Sequence, residues 1–83
     1  MTDVRDEQVT ALLDRIVSGG PVEFDGLRAS AGDDTYAIEA AETTHEGVSE
    51  AEFREAAHTD HIAPYVTNWY YWEAVVGRRG RHR

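Results

Sequence analysis

The residues that could do metal or acid–base chemistry cluster between positions 55 and 61. Glu55 and His58 are three residues apart, so both would lie on one face of a helix, as in helical carboxylate–histidine metal sites. Asp60 and His61 follow closely. Such a site needs further carboxylates from other helices, and the middle of this chain has strand character. We therefore predict no metal here: His58 is expected to end a helix and His61 to lie in the following loop.

Motifs for nucleophilic and nucleotide chemistry are absent from the sequence. There is no Cys, which excludes disulfides, thiolate catalysis and cysteine-ligated metals. The nucleophile-elbow, phosphate-loop, zinc-protease and calcium-loop patterns do not occur. No pair among the sixteen Asp and Glu stands out as catalytic. The prediction is a non-enzymatic protein with no cofactor, and no small-molecule ligand is inferred.

The charge pattern indicates the environment. Sixteen acidic residues oppose eight basic ones, and all eight are Arg, with no Lys. Together with abundant Ala, Val, Thr and Gly, this composition resembles that of haloarchaeal cytoplasmic proteins. At molar salt the Debye length is about 3 Å, so the negative charge is screened while the carboxylates keep the surface hydrated. The alternative is an acidic protein of a GC-rich mesophile.

Half of the arginines lie in the last seven residues. Arg78, Arg79, Arg81 and Arg83 alternate with Gly and His in a basic tail over residues 77–83, which we expect to be flexible. Such tails resemble nucleic-acid-binding segments, which makes a nucleic-acid-associated regulator the alternative function. Four charges release only about four counterions, however, and that contribution collapses at molar salt.

Aromatic residues are concentrated just before this tail. Five of the eight fall between positions 65 and 72: Tyr65, Trp69, Tyr70, Tyr71 and Trp72. A domain this small cannot easily bury all five, and Tyr and Trp are enriched at interface hot spots. These residues are the predicted partner-binding set, for a protein partner or a homodimer. The alternative is that they simply form the core.

The elements that position these residues follow from periodicity. Residues 3–17 show helical spacing of their apolar residues, which are Val9, Leu12, Leu13, Ile16 and Val17. The segment Ser18-Gly19-Gly20, followed by Pro21, ends this helix.

The period then changes to two. Alternating apolar residues predict strands between positions 22 and 42: Val22, Phe24, Leu27, Ala29, Ala31, Tyr36, Ile38 and Ala40. Gly32-Asp33-Asp34 predicts the turn of a hairpin. Asp25-Gly26 is either a second tight turn, giving a three-stranded meander, or a bulge in one longer strand. Residues 41–48 are expected to form a polar connection.

The sequence predicts the first of the last two elements clearly and the second less clearly. Ser49 and Glu52 form a capping box, and Val48 and Phe53 a hydrophobic staple, so a short helix follows over residues 50–58. Residues 65–76 combine aromatic strand propensity with helical spacing. Pro64 suits a first helical turn and favours a helix.

These elements predict one α+β domain over residues 1–76, with helices covering one face of a small antiparallel sheet. The longest apolar run is far shorter than the roughly 20 residues that span a bilayer, and the N-terminus is acidic. We therefore expect a cytoplasmic protein that does not insert into a membrane.

Overall fold

Four antiparallel strands in sequential order form the sheet on which the helices pack. The computed structural model describes residues 4–76, and its order is α1, β1, β2, β3, β4, α2, α3 and a π-helical segment. Their bounds are Val4–Gly19, Val22–Phe24, Leu27–Ala31, Tyr36–Ala40, Thr43–Val48, Glu50–Ala57, Ala63–Trp69 and Tyr70–Val76. The predicted α+β class is confirmed.

One face of the sheet forms the core with the helices. The alternating residues of β1 to β3 are buried as their period predicts, with Phe24, Ala31 and Tyr36 partly buried at the margin. The helices contribute the rest of the core, which is Val9, Leu12, Leu13, Ile16, Phe53, Ala56, Ala57, Ile62, Val66 and Trp69. Val17 departs from the expectation, because its side chain is 64% exposed. It lies about 100° around the helix from Ile16, at the edge of the apolar stripe.

The turn at Asp25-Gly26 is a two-residue connection between β1 and β2, so the tight-turn alternative is correct. Phe24 pairs with Leu27, and both turn residues have positive φ, 47° and 93°. Positive φ at both central positions is the requirement of a type I′ hairpin. Asn68 of α3 donates to the Asp25 carboxylate at 2.9 Å and so holds the turn against the helix.

Residues 41–48 correct the expectation of a polar connection. A turn at Ala41 and Glu42 leads into β4, which pairs with β3 and completes a four-stranded meander. The strand was not recognised because a bulge interrupts its alternation: His45 and Val48 lie opposite Ile38 and Tyr36. Its polar residues suit an edge strand, which is half solvent-exposed.

The capping box before α2 forms as predicted. The Glu52 N–H donates to Ser49 Oγ at 3.2 Å, and the Ser49 N–H donates to Glu52 Oε1 at 2.8 Å. The backbone hydrogen bond from Ser49, reinforced by its hydroxyl, lowers the pKa of the Glu52 carboxyl. Below the cap, Phe53 is fully buried and packs edge-on against Tyr36 with ring centroids 5.7 Å apart.

Polar contacts fasten both later helices to α1. Arg54 of α2 reaches Asp6 at 3.2 Å and Thr10 at 3.1 Å. Thr67 of α3 donates to the buried Gln8 at 2.8 Å.

The aromatic segment is covered by α3 and the π-helical segment, which confirms its helical interpretation. Pro64 lies in the first turn of α3, as expected.

Gly20, which follows α1, and Gly26, in the β1–β2 turn, form a matched pair of glycines. Gly20 and Gly26 have similar φ, 89° and 93°, but a Cβ at Gly20 meets nothing within 4 Å, whereas one at Gly26 would lie 3.3 Å from Tyr65 Cε1. We expect Gly20→Ala to destabilise the fold by about 1–2 kcal/mol through φ alone, and Gly26→Ala by a further ~1 kcal/mol. Urea unfolding measures both. Equal losses would contradict a constraint from Tyr65.

The capping box has a pH signature. Because the pKa of Glu52 is lowered in the folded chain, its contribution to stability is present above the ordinary glutamate pKa of about 4.3 and is lost as pH falls through the lowered value. Replacing Ser49 by Ala removes the hydroxyl that helps to lower the pKa of Glu52, so that pKa should rise. An NMR titration of the carboxyl carbon measures it. Ser18→Ala, at the far end of α1, is the control and should leave that pKa unchanged.

Candidate interaction surface

The five aromatic residues of the predicted partner-binding set are divided between core and surface. Trp69 is 3% exposed and belongs to the core, and Tyr65 and Tyr70 are half-buried against it. Tyr71 and Trp72 are 54% and 48% exposed. Of the five residues, only the last two are therefore about half exposed to solvent.

This division follows from the change of helix type at Tyr70. Residues 70–76 form a π-helix, whose i→i+5 hydrogen bonding places more residues in each turn than an α-helix does. Trp72 lies three residues after Trp69 and would share its face in an α-helix. In the wider turn it advances less far around the axis, so it emerges at the surface. The π-helix thus separates two tryptophans that the sequence spacing placed together.

Tyr71 and Trp72 form an ordered pair. Their ring centroids are 5.5 Å apart with an interplanar angle of 85°, which is the edge-to-face arrangement that aromatic pairs favour. Together with Val17, they are the exposed large hydrophobic side chains in the described part of the chain. Val17 stands alone on α1, whereas Tyr71 and Trp72 create a contiguous apolar patch.

A shallow groove of about 490 Å³ lies beside this pair. Its walls come from the start of α1, from α3 and from the π-helical segment: Arg5, Ala63, Pro64, Thr67, Asn68 and Tyr71. Tyr71 is shared between the pair and the groove, so the two are adjacent. We call Tyr71, Trp72 and this groove the aromatic surface.

The opposite face of the sheet is a second surface, which sequence reasoning missed. It is a depression of about 610 Å³ whose polar side chains include Glu23, Arg28, Ser30, Glu39, Thr44 and Glu46. Arg28 is paired in register with both Glu23 and Glu39 and lies 3.0 Å from the Glu23 carboxylate. An exposed cross-strand ion pair of this kind contributes little to stability. The signal was available in the polar residues that alternate with the apolar ones, once four strands are recognised.

The histidine region lies at the end of α2 and in the loop that follows it, as predicted. His58 is the C-cap residue of α2, as expected, and its Nε2 lies 3.8 Å from the Asp6 carboxylate. Glu55 and His61 are exposed. Within residues 4–76, no group of three or more His, Asp or Glu side chains is placed to hold a metal ion.

The basic tail, residues 77–83, lies outside the described residues. Arg78, Arg79, Arg81 and Arg83 lie beyond residue 76, so nucleic-acid contact through them stays a prediction. In the described part of the chain, no helix is long and apolar enough to cross a membrane.

The fold and surface define a two-layer α+β domain: a four-stranded meander covered on one face by helices, with an aromatic surface at the C-terminal end of the helical layer. The chain belongs to the DUF7348 family, described as a domain of unknown function, and the match covers residues 5–77. Comparison with curated proteins and with solved structures returned no significant match.

The division between core and surface predicts opposite effects at the two tryptophans. Trp69→Ala should destabilise the fold by about 3–5 kcal/mol because it leaves a large cavity, whereas Trp72→Ala should change stability by no more than about 0.5 kcal/mol. Trp69→Phe, which keeps a ring, should fall between them. Urea unfolding in molar KCl measures all three, and a large loss for Trp72→Ala would place that ring in the core.

Proposed function

We propose that this chain is a non-enzymatic interaction or accessory domain that self-associates or docks a protein partner through the aromatic surface. The observation that carries the proposal is the half-exposed, edge-to-face pair of Tyr71 and Trp72. Side chains of this type give hot-spot energies of about 2 kcal/mol or more when a partner covers them. An exposed aromatic pair next to a groove is therefore a favourable place for a second chain to bind.

The way the surface is held supports this assignment. Behind it, Trp69 is buried in the core. Thr67 is bonded to Gln8 of α1, and Asn68 to Asp25 of the β1–β2 turn. Thr67 and Asn68 also line the groove. Because α3 is attached at several points, a partner would bind a surface that is already ordered, which reduces the entropy lost on association.

The distribution of carboxylates supports a salty cytoplasm as the working environment. None of the Asp and Glu residues in the described part of the chain is buried, and most are exposed. A hydrated acidic surface of this kind keeps a protein soluble where salt screens its self-repulsion. It also accounts for the many carboxylates without a catalytic role, in keeping with a non-enzymatic function.

The test compares the double variant Tyr71→Ala/Trp72→Ala with Val17→Ala. Val17 is a suitable control because it is an equally exposed apolar residue, and it lies twelve positions along α1 from Arg5, or about 18 Å. Light scattering and affinity capture from extract are both run in molar KCl. We expect the wild type and Val17→Ala to assemble or to retain a partner, and the double variant to do neither. A wild type that is monomeric and retains the same proteins as the double variant would refute the proposal.

A titration of the wild type from dilute buffer to molar KCl tests the environment in the same experiment. The midpoint of thermal unfolding should rise with salt, because screening relieves repulsion between the surface carboxylates. A midpoint that does not change with salt would contradict the halophilic assignment but would not bear on the proposed role of the aromatic surface.

A further inference from the structure

A protruding ring and a groove lie side by side on the aromatic surface. Trp72 is about half exposed, and its ring is 5.5 Å from that of Tyr71, which forms one wall of the groove. A surface that carries both a projection and the adjacent recess is complementary to a rotated copy of itself. Such a patch can pair about a two-fold axis, where each copy makes the same contact in reverse.

We propose that the occupant of the aromatic surface is a second copy of this chain, with Trp72 of each protomer inserted in the groove of its partner. This inference rests on the proposed function and specifies the partner. Each Trp72 then meets the apolar side chains of Ala63 and Pro64 in the groove of its partner.

The charge distribution favours a second copy at this place. Two copies of an acidic chain repel wherever carboxylates face carboxylates, and the open sheet face carries Glu23, Glu39 and Glu46. None of the six residues that line the groove is Asp or Glu, and the Asp25 carboxylate beside it accepts a hydrogen bond from Asn68. The groove therefore lets an equally acidic partner approach without burying unpaired negative charge, which would be costly. A basic partner would instead be drawn to the sheet face.

The size of the contact sets the expected strength. Each inserted aromatic side chain buries about 150–250 Å², which is well below the roughly 800 Å² that each partner buries in a standard interface. The dimer should therefore dissociate in the micromolar range, and it should strengthen as salt screens the repulsion between the two acidic bodies.

A complementation experiment tests the reciprocal geometry. Trp72→Ala removes the projection but leaves the groove, and Asn68→Trp fills the groove but leaves the projection. Each variant alone has no intact contact, whereas a mixture can form a heterodimer that keeps one of the two. By light scattering in molar KCl at tens of micromolar, we expect the wild type to dimerise, each variant to be monomeric, and the mixture to regain dimer with at least a tenfold weaker Kd.

Two controls separate folding and hydrogen bonding from groove filling. Asn68→Ala loses the same bond to Asp25 without filling the groove, so it should still dimerise. Asn68→Phe replaces the Trp variant if circular dichroism shows that the latter does not fold. In a Trp69→Phe background, Trp72 is the single tryptophan and its emission should shift to the blue on dimerisation.

Restored dimer in the mixture supports the proposal. A monomeric wild type, a dimer that survives either substitution, or a mixture that stays monomeric overturns it. If the wild type is monomeric but a different protein is captured through Tyr71 and Trp72, the second-copy inference fails while the proposed function stands.

Discussion

Burial of one face of the four-stranded meander by the helices is the interaction on which the rest of this structure depends. A sheet of this size is not stable alone in water, and neither are three short helical segments. Leu27 and Ile38 from the strands pack with Leu12, Phe53 and Val66 from the three helices, and each of these five side chains is almost wholly removed from solvent. The hydrophobic contribution is about 1.5–3 kcal/mol for each large side chain, so this single core supplies most of the stability.

That core also determines where the aromatic surface lies. Trp69 is drawn inward because it is needed to fill the space between α3 and α1, and polar bonds from Thr67 and Asn68 fix the direction of the helix. The chain continues from this anchored point into the π-helical segment, where the wider turn carries Trp72 outward. Stability and the proposed recognition therefore use neighbouring residues of one segment, and they are separated by helix geometry rather than by distance along the chain.

The acidic side chains of the described residues lie at the surface of the molecule. Every described carboxylate has access to solvent, and those on the open sheet face are arranged around Arg28 so that like charges are not in direct register. The face opposite the core can therefore remain hydrated without an element covering it. In the proposed dimer, two acidic copies meet at this groove because none of its lining residues is Asp or Glu, whereas contact elsewhere would bring negative charges together.

Much of this architecture could be read from the sequence, because local rules determine it. Helical periodicity located α1, the reciprocal pair Ser49 and Glu52 located α2, and alternation located the first three strands. The sequence also identified the segment around Trp69 and Trp72 as the candidate site. These features depend on hydrogen bonds and apolar patterns within a few residues of one another, which a single chain displays directly.

Only the tertiary structure decided the rest. It made residues 43–48 a strand, since a polar, bulged segment becomes one by pairing with β3 and shows no alternation of its own. It left Val17 in solvent, at the edge of the apolar stripe that α1 turns towards the sheet. It separated Trp69 from Trp72, because the helix widens after Tyr70 and the apolar spacing does not show that change. The groove beside Trp72 likewise exists only where α1 and α3 meet.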